Sequence, residues 1–400
     1  MEEVAGSIPV TSTRFKKPLQ RGFFYCMKSE RLKAAIIIRK FKGLSGAVNY
    51  AAELARRLPA HGFDMAVLAQ RADAALAANC GAELRKVPSL PFGWAGSRAL
   101  FSAAAGWRSR GLDLVHGQGD TLRQDVLSLH NCVHAAHEAV YGAPLPPDNG
   151  VGLLHERQLR QRRFSLLVAN SALMKEEVSR RFGVPPELIR VIHPGMNPAR
   201  FTAKAPGLRA ELGFFPSDVI AGLVTSGDLA KRGAGAFLKA LAKARAQAPE
   251  LKGLIVAGAA QAAELRPAAA ALGLTSALVF TPPRPDVERL YSTIDFMAYP
   301  ALYEEFGITV LEACACGLPV LLRAPRVGAA EVLSPVLRDE LNFSSDEELA
   351  AKMSALALSP ARRSALGAAA RLCALPVTWD AAAAALAAVY RQALAKKLPR

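Results

Sequence analysis

Apolar residues along this chain gather in short solid runs, and most runs lead into a stretch whose apolar positions recur at helical spacing. In the first half, KAAIIIRKF (33–41) reads as a buried strand and SGAVNYAAELARRLPAHG (45–62) as a helix stopped by Gly62. DMAVLAQ (64–70) is a second strand, and GLDLVHGQG (111–119) is a strand running into a glycine-rich loop. DVLSLHNCVHAAHEAVYG (125–142) reads as strand, loop and helix. FSLLVANSALMKEEVSRRFG (164–183) is a strand, an N-cap at Ser171 and a helix ending on Gly183, and IRVIHPG (189–195) closes the series. Strands alternating with helices predict a parallel sheet with right-handed crossovers.

The stretch 195–218, GMNPARFTAKAPGLRAELGFFPSD, breaks the rhythm with Pro, Gly and polar residues, as a linker does. A second alternating series follows. VIAGLVTSGD (219–228), LKGLIVAG (251–258), ALVFTPP (277–283), DFMAYPA (295–301) and LPVLLRA (318–324) are its strands. GAGAFLKALAKARAQ (233–247), PDVERLYSTI (285–294) and GITVLEACACG (307–317) are its helices. TWDAAAAALAAVYRQALAKKL (378–398) is one long final helix with a basic end, as the helix dipole favours. The expected fold class is α/β: two Rossmann-like doubly wound domains facing a cleft, with the C-terminal helix packing back toward the N-terminal domain. The expected boundaries are a flexible extension over 1–27, an N-terminal domain over 28–195, a C-terminal domain over 196–377 and a crossing helix over 378–400. In open α/β sheets ligands bind beyond the carboxyl ends of the strands, so two such domains put the site between them.

Composition narrows the classes. The 400 residues are 51% hydrophobic and 21% charged, which is a foldable globular balance and enough chain for two cores. Residues 1–26 open acidic and contain no apolar core of a signal peptide. The net charge of +16 admits nucleic acid, an anionic membrane face or anionic substrates. No RNA-binding signature, zinc finger or aromatic stripe supports nucleic acid. The basic run RQLRQRRF (157–164) reads as a solvated helix face, with peripheral contact to an anionic membrane as the sharper reading. Six cysteines (26, 80, 132, 314, 316, 373) form no CxxC pair, which suits a reducing cytoplasm, the expected location.

The chemistry centres on YEEFGITVLEACACGLPV (303–320). Glu304 falls in a loop at a strand's carboxyl end and Gly307 where the next helix begins. Free N–H groups there favour a phosphate, and Glu312, further along the helix, is a bidentate acceptor for adjacent hydroxyls such as those of a ribose. The segment could hold a nucleotide sugar. In SGDLAKRGAGAFLKAL (226–241), Lys231 and Arg232 form a basic pair at a strand-to-helix turn, suited to a pyrophosphate. In FKGLSGAVN (41–49), Gly43 and Gly46 let backbone approach a ligand. His130, His134 and His137 would share one helix face if the helix already included His130, but no cysteine or supporting partner favours zinc.

The EEFGITVLEACACGLPV run resembles the E-x7-E signature of retaining glycosyltransferases of the GT-B fold, family 4. RVIHPGMNPARF (190–201) and GAAEVL (328–333) resemble that family's interdomain segment and its G-G-x-x-E-V turn. Two departures are Glu305, where members often carry Gly, and Ala301, where Ser is usual. The resemblance implies transfer of a sugar from a nucleoside-diphosphate sugar, a UDP-sugar being the expected donor, to a glycan or glycolipid acceptor of the bacterial cell envelope, an anionic one if the basic N-terminal domain is a guide. It implies no cofactor and no metal. Glu304 would orient a donor-sugar hydroxyl, Glu312 would grip the ribose, and Lys231 with Arg232 would stabilise the departing diphosphate. His130 would contact the donor sugar, and Phe306, Gly307, Ile308, Gly43 and Gly46 would line the substrate. The competing readings are a sugar-nucleotide epimerase of the same fold and a non-catalytic nucleotide-sugar binder.

Overall fold

The computed structural model describes residues 31–43, 45–88, 94–202, 206–225 and 227–397, so the expected extension over 1–27 lies outside the described residues. The N-terminal sheet has seven parallel strands. Their spatial order is Glu83–Lys86, Phe63–Ala69, Leu32–Ile37, Leu114–Gly117, Val126–Leu129, Leu166–Ala169 and Ile189–Val191. The second sheet has six, in the order Leu278–Thr281, Leu251–Val256, Val219–Leu223, Phe296–Tyr299, Val320–Arg323 and Asn342–Phe343. In each sheet the order in space runs from the third strand back to the first and then forward from the fourth. That is the doubly wound pattern, with its switch point between first and fourth strands. The two Rossmann-like domains read from the sequence are therefore present.

The first predicted strand ends early. Arg39 leaves the sheet because its N–H is taken by the Asp120 carboxylate at 2.9 Å, while its carbonyl receives the N–H groups of Gln70 and Arg71. Lys40–Phe41 then pairs with Arg71–Ala72 as a separate two-stranded ribbon above the sheet. The histidine stripe is corrected as well. The helix runs Val133–Tyr141, with Cys132 as its N-cap, so His130 stands in the preceding loop and shares no face with His134 and His137. His134 packs edge-on against Phe182, and His137 lies 2.9 Å from the carbonyl of Ala143. Among the described residues, no three His, Cys, Asp or Glu side chains come together as a metal site would need.

The chain crosses between the sheets twice, side by side. Met196 and Thr378 form an isolated bridge, and a Cβ on Gly195 would stand 2.1 Å from the backbone nitrogen of Trp379. No side chain fits there, so glycine is what lets the outgoing and returning segments touch. After the return, the helix Trp379–Ala395 buries Trp379, Ala382, Ala383, Leu386, Tyr390 and Ala393, the i, i+3, i+4, i+7 stripe of an amphipathic helix. That stripe joins the N-terminal core beside Phe63, Leu54 and Leu114. Each large apolar side chain so buried contributes about 1.5–3 kcal/mol, which fastens the end of the chain to the domain it began in.

Candidate active site between the two domains

The segment 300–307 leaves the carboxyl end of Phe296–Tyr299 and is braced on three sides. Leu302 N–H bonds the Lys231 carbonyl at 2.9 Å, Glu304 N–H bonds Arg326 at 2.8 Å, and Ala329 N–H bonds Phe306 at 2.8 Å. Gly307 caps the helix Ile308–Ala315 at φ +96°, a left-handed conformation that favours glycine. A Cβ there would also press on Glu304 Cγ at 3.2 Å. Past the neighbouring strand Val219–Leu223, Gly233 follows the basic pair at φ +73° as the N-cap of Ala234–Arg245, and a Cβ on it would stand 2.0 Å from the Pro300 carbonyl. Two glycines thus bring the basic turn and the acidic loop together across the sheet's switch point.

What meets there is a compact set of paired charges. Arg232 Nη2 is 2.5 Å from Glu304 Oε2, which also accepts the Tyr299 hydroxyl at 3.0 Å. Lys231 Nζ is 2.9 Å from Glu305 Oε2 and lies over the Tyr303 ring. Glu304 and Glu305 are only 8% and 2% exposed. Burial pushes the Glu304 carboxyl up, against the pull of Arg232. Burial also works against the Arg232 charge, but Tyr299, Glu304, Glu305 and Asp228 around it prevail and its pKa is raised. Among the described residues, Arg232 Nε and Nη1 are buried with no hydrogen-bond partner. A buried guanidinium with unfilled donors is costly as it stands and is matched to an oxygen-rich anion.

Glu312 keeps different company. Its Oε2 accepts the Tyr291 hydroxyl at 2.9 Å, and burial raises its carboxyl from 4.5 to about 7, with the Tyr291 bond and Arg200 pulling the other way. Phe306 is buried and stacks on His193, ring centres 5.3 Å apart, so its side chain is committed to packing. Ile308 is half-buried and touches both the N- and C-terminal cores. His130 follows the strand Val126–Leu129, with Nε2 2.7 Å from Gln118 Oε1 and Tyr50 edge-on at 4.8 Å. Burial pushes it down to about 4, so it is neutral near pH 7. Gly43, at φ +73°, and Gly46, which opens Gly46–Arg57, sit beyond the first N-terminal strand with open space around them. The structure therefore brings Lys231, Arg232 and Glu304 together and gives Glu312 a separate partner in Tyr291.

Several partners escaped the sequence reading. Tyr291 and Tyr299 sit in apolar runs where they read as core, and their hydroxyls give no periodic signal. Glu331, inside the quoted GAAEVL turn, accepts the N–H groups of Ala172 and Leu173 at 2.8 and 3.0 Å and pairs with His193 at 3.1 Å. It thereby caps an N-domain helix from the C-domain.

Comparison with known proteins agrees with this construction. The model described as Glycosyltransferase Family 4 matches residues 44–200, and Glycosyl transferases group 1 matches 223–372. Those matches and the paired sheets make the chain a member of the glycosyltransferase superfamily with the GT-B fold. The structure of WaaG, a glycosyltransferase involved in lipopolysaccharide biosynthesis, has the same fold, with a TM-score of 0.73 at 20% identity over 89% of this chain and 99% of that one. Anabaena Alr3699/HepE in complex with UDP and glucose has a TM-score of 0.71 at 20% identity, covering 90% of this chain and 100% of that one. Among curated relatives, a D-inositol 3-phosphate glycosyltransferase of Streptomyces bingchenggensis is 30% identical over 57% of this chain and 53% of its own length. The chain therefore spans about half the length of that relative, while a second, from Streptomyces scabiei, is 28% identical over 88% and 87%.

Proposed function

We propose that the chain is a retaining, metal-independent glycosyltransferase that moves a sugar from a nucleoside-diphosphate sugar to a glycan or glycolipid acceptor. The observation that carries this is Arg232 at the switch point, paired to Glu304 by one nitrogen and holding two buried donors unfilled. Lys231 and Arg232 take the departing diphosphate, where negative charge develops. The E-x7-E pair divides the rest. Glu304, held by Tyr299, orients a hydroxyl of the donor sugar, and Glu312, held by Tyr291, accepts the ribose hydroxyls. Neutral His130 faces the sugar, and the new C–O bond forms on the face from which the diphosphate leaves. A UDP-sugar is the proposed donor, supported by the UDP and UDP-glucose in the complexes of Alr3699/HepE.

The acceptor enters from the N-terminal domain. Beyond the first strand lies a cavity of about 340 Å³ lined by Arg39, Lys40, Ser45, Arg71, Arg98 and Asp120. Four cations against one carboxylate favour an anionic acceptor, in keeping with the inositol 3-phosphate in the names of the curated relatives and with a role in cell-envelope glycan synthesis. Among the described residues, no helix is long and apolar enough to cross a membrane. Arg157, Arg160, Arg162 and Arg163 are exposed and offer a peripheral contact to an anionic surface from the cytoplasmic side.

The test is a thermal-shift panel of UDP-, GDP- and ADP-sugars, followed by turnover of the Lys231→Ala, Arg232→Ala double variant. Each charge-assisted contact is worth about 1.5–3 kcal/mol, so a folded double variant should lose at least about 100-fold in turnover. Wild-type turnover in that variant would refute the assignment.

A further inference from the structure

Glu305 stands where relatives of this signature often carry Gly, and its side chain is among the most buried polar groups in the protein at 2% exposure. Its two carboxylate oxygens serve different domains. Oε1 accepts the N–H of Cys132, in the N-terminal domain, at 2.7 Å, and Oε2 holds Lys231 Nζ, in the C-terminal domain, at 2.9 Å. The Glu305 carbonyl accepts the hydroxyl of Ser171, the N-cap of the N-domain helix Ala172–Phe182. Cys132 is itself the N-cap of Val133–Tyr141 and supplies no side-chain cap, so the carboxylate meets that helix at the positive end of its dipole.

The surroundings leave this contact little slack. A Cβ on Gly328 would stand 2.2 Å from the Glu305 carbonyl oxygen and 2.7 Å from Ser171 Cβ, so the domains meet there with no room for a side chain at 328. Tyr303, two residues upstream, is buried in the N-domain cluster with Cys132, Ala135 and Phe182. Separating the domains would take the Cys132 N–H from Oε1 and leave the carboxylate with Lys231 as its partner. The carboxylate would then turn toward water or settle wholly on the ammonium, and Lys231 would move with it.

We propose that Glu305 is a positioning residue that makes the place of Lys231 depend on closure of the two domains. With Cys132 in reach, Glu305 is fixed at one end and holds the ammonium in place for the donor diphosphate. With the domains apart, the ammonium loses its fixed seat. A Gly at this position would leave Lys231 independent of the interface. The inference rests on the role given to Lys231 above, and two of its consequences can be read without transfer activity.

The experiment compares wild type with Glu305→Gln, which keeps an acceptor for Cys132 and removes the negative charge that faces Lys231, and with Glu305→Gly, which removes both. For Glu305→Gln the expected result is UDP affinity held or raised by about 3–10-fold, because Lys231 is freed of a competing anion, with turnover lowered by about tenfold or more. For Glu305→Gly, small-angle scattering of the unliganded protein should show a larger radius of gyration than wild type. In a Lys231→Met background, Glu305→Gln should leave UDP affinity unchanged, since its target is gone. A Glu305→Gln protein with wild-type turnover, a Glu305→Gly protein with an unchanged radius, or an undiminished effect in the Lys231→Met background would each overturn the coupling. A wild type that binds no nucleotide in the panel would instead overturn the donor reading on which the coupling rests.

Discussion

Replacing Glu312 by Gln should make the protein more stable, and only at high pH. The side chain accepts the Tyr291 hydroxyl, and burial raises its carboxyl from 4.5 to about 7. Each pKa unit is about 1.36 kcal/mol, so ionising Glu312 in the folded state costs about 3 kcal/mol more than in the unfolded chain. The sign follows from a raised carboxyl. Its stabilising share is complete below pH 4.5 and is lost as pH climbs through 7. Gln is neutral throughout and its carbonyl can still accept the Tyr291 hydroxyl, so the variant follows the protonated wild type. Urea unfolding at about pH 4 should find the two proteins alike, and at about pH 8 should find the variant ahead by about 3 kcal/mol. A Gln variant less stable than wild type at pH 8, or a gap that ignores pH, would refute the reasoning. The same experiment with saturating UDP bears on function. Ribose hydroxyls donate to the ionised carboxylate, so UDP should stabilise wild type more than the variant at pH 8.

Two further predictions concern neighbouring positions. Gly233→Ala sets a methyl against the Pro300 carbonyl, 2.0 Å from its Cβ, at a φ of +73°, and should cost about 2 kcal/mol or more and displace the adjacent Lys231 and Arg232. Thermal denaturation would show it, and an unchanged midpoint would speak against the contact. Burial holds His130 down to about 4, so the ratio of wild-type to His130→Ala turnover should stay level from pH 6 to 8; a wave near pH 6.5 would mean that the imidazole titrates in that range.

The fold was legible because most solid apolar runs are buried strands, and several of the segments that follow carry their own stop, as at Gly62, Gly142 and Gly183. The boundaries that failed did so for tertiary reasons. Arg39 leaves the strand because Asp120, 81 residues away, captures its N–H, and no local pattern encodes that. The site was half legible. Lys231, Arg232 and Glu304 fall at strand ends, where position in an α/β sheet already points to a ligand. That Arg232 would pair with Glu304, and Lys231 with Glu305, depends on two separate turns being pinned together by Gly233 and Gly307. Spacing along the chain carries no trace of it.

Glu305, the one acidic departure in the signature, makes sense once the four charges are counted together. Lys231 and Arg232 are offset by Glu305 and Glu304, so the four charges of this buried set cancel. With Gly at 305, Lys231 would lose its nearest anion in a setting where unpaired charge is expensive. The Cys132 amide would lose its acceptor as well. On the proposed reading, a chain that carries Glu there keeps the ammonium seated and shares it between the carboxylate and the ligand, and a diphosphate brings enough charge to compete for it. The balanced charges and the preference for a doubly charged ligand are two consequences of the same side chain. That side chain also ties both of them to whether the N-terminal domain has closed on the loop.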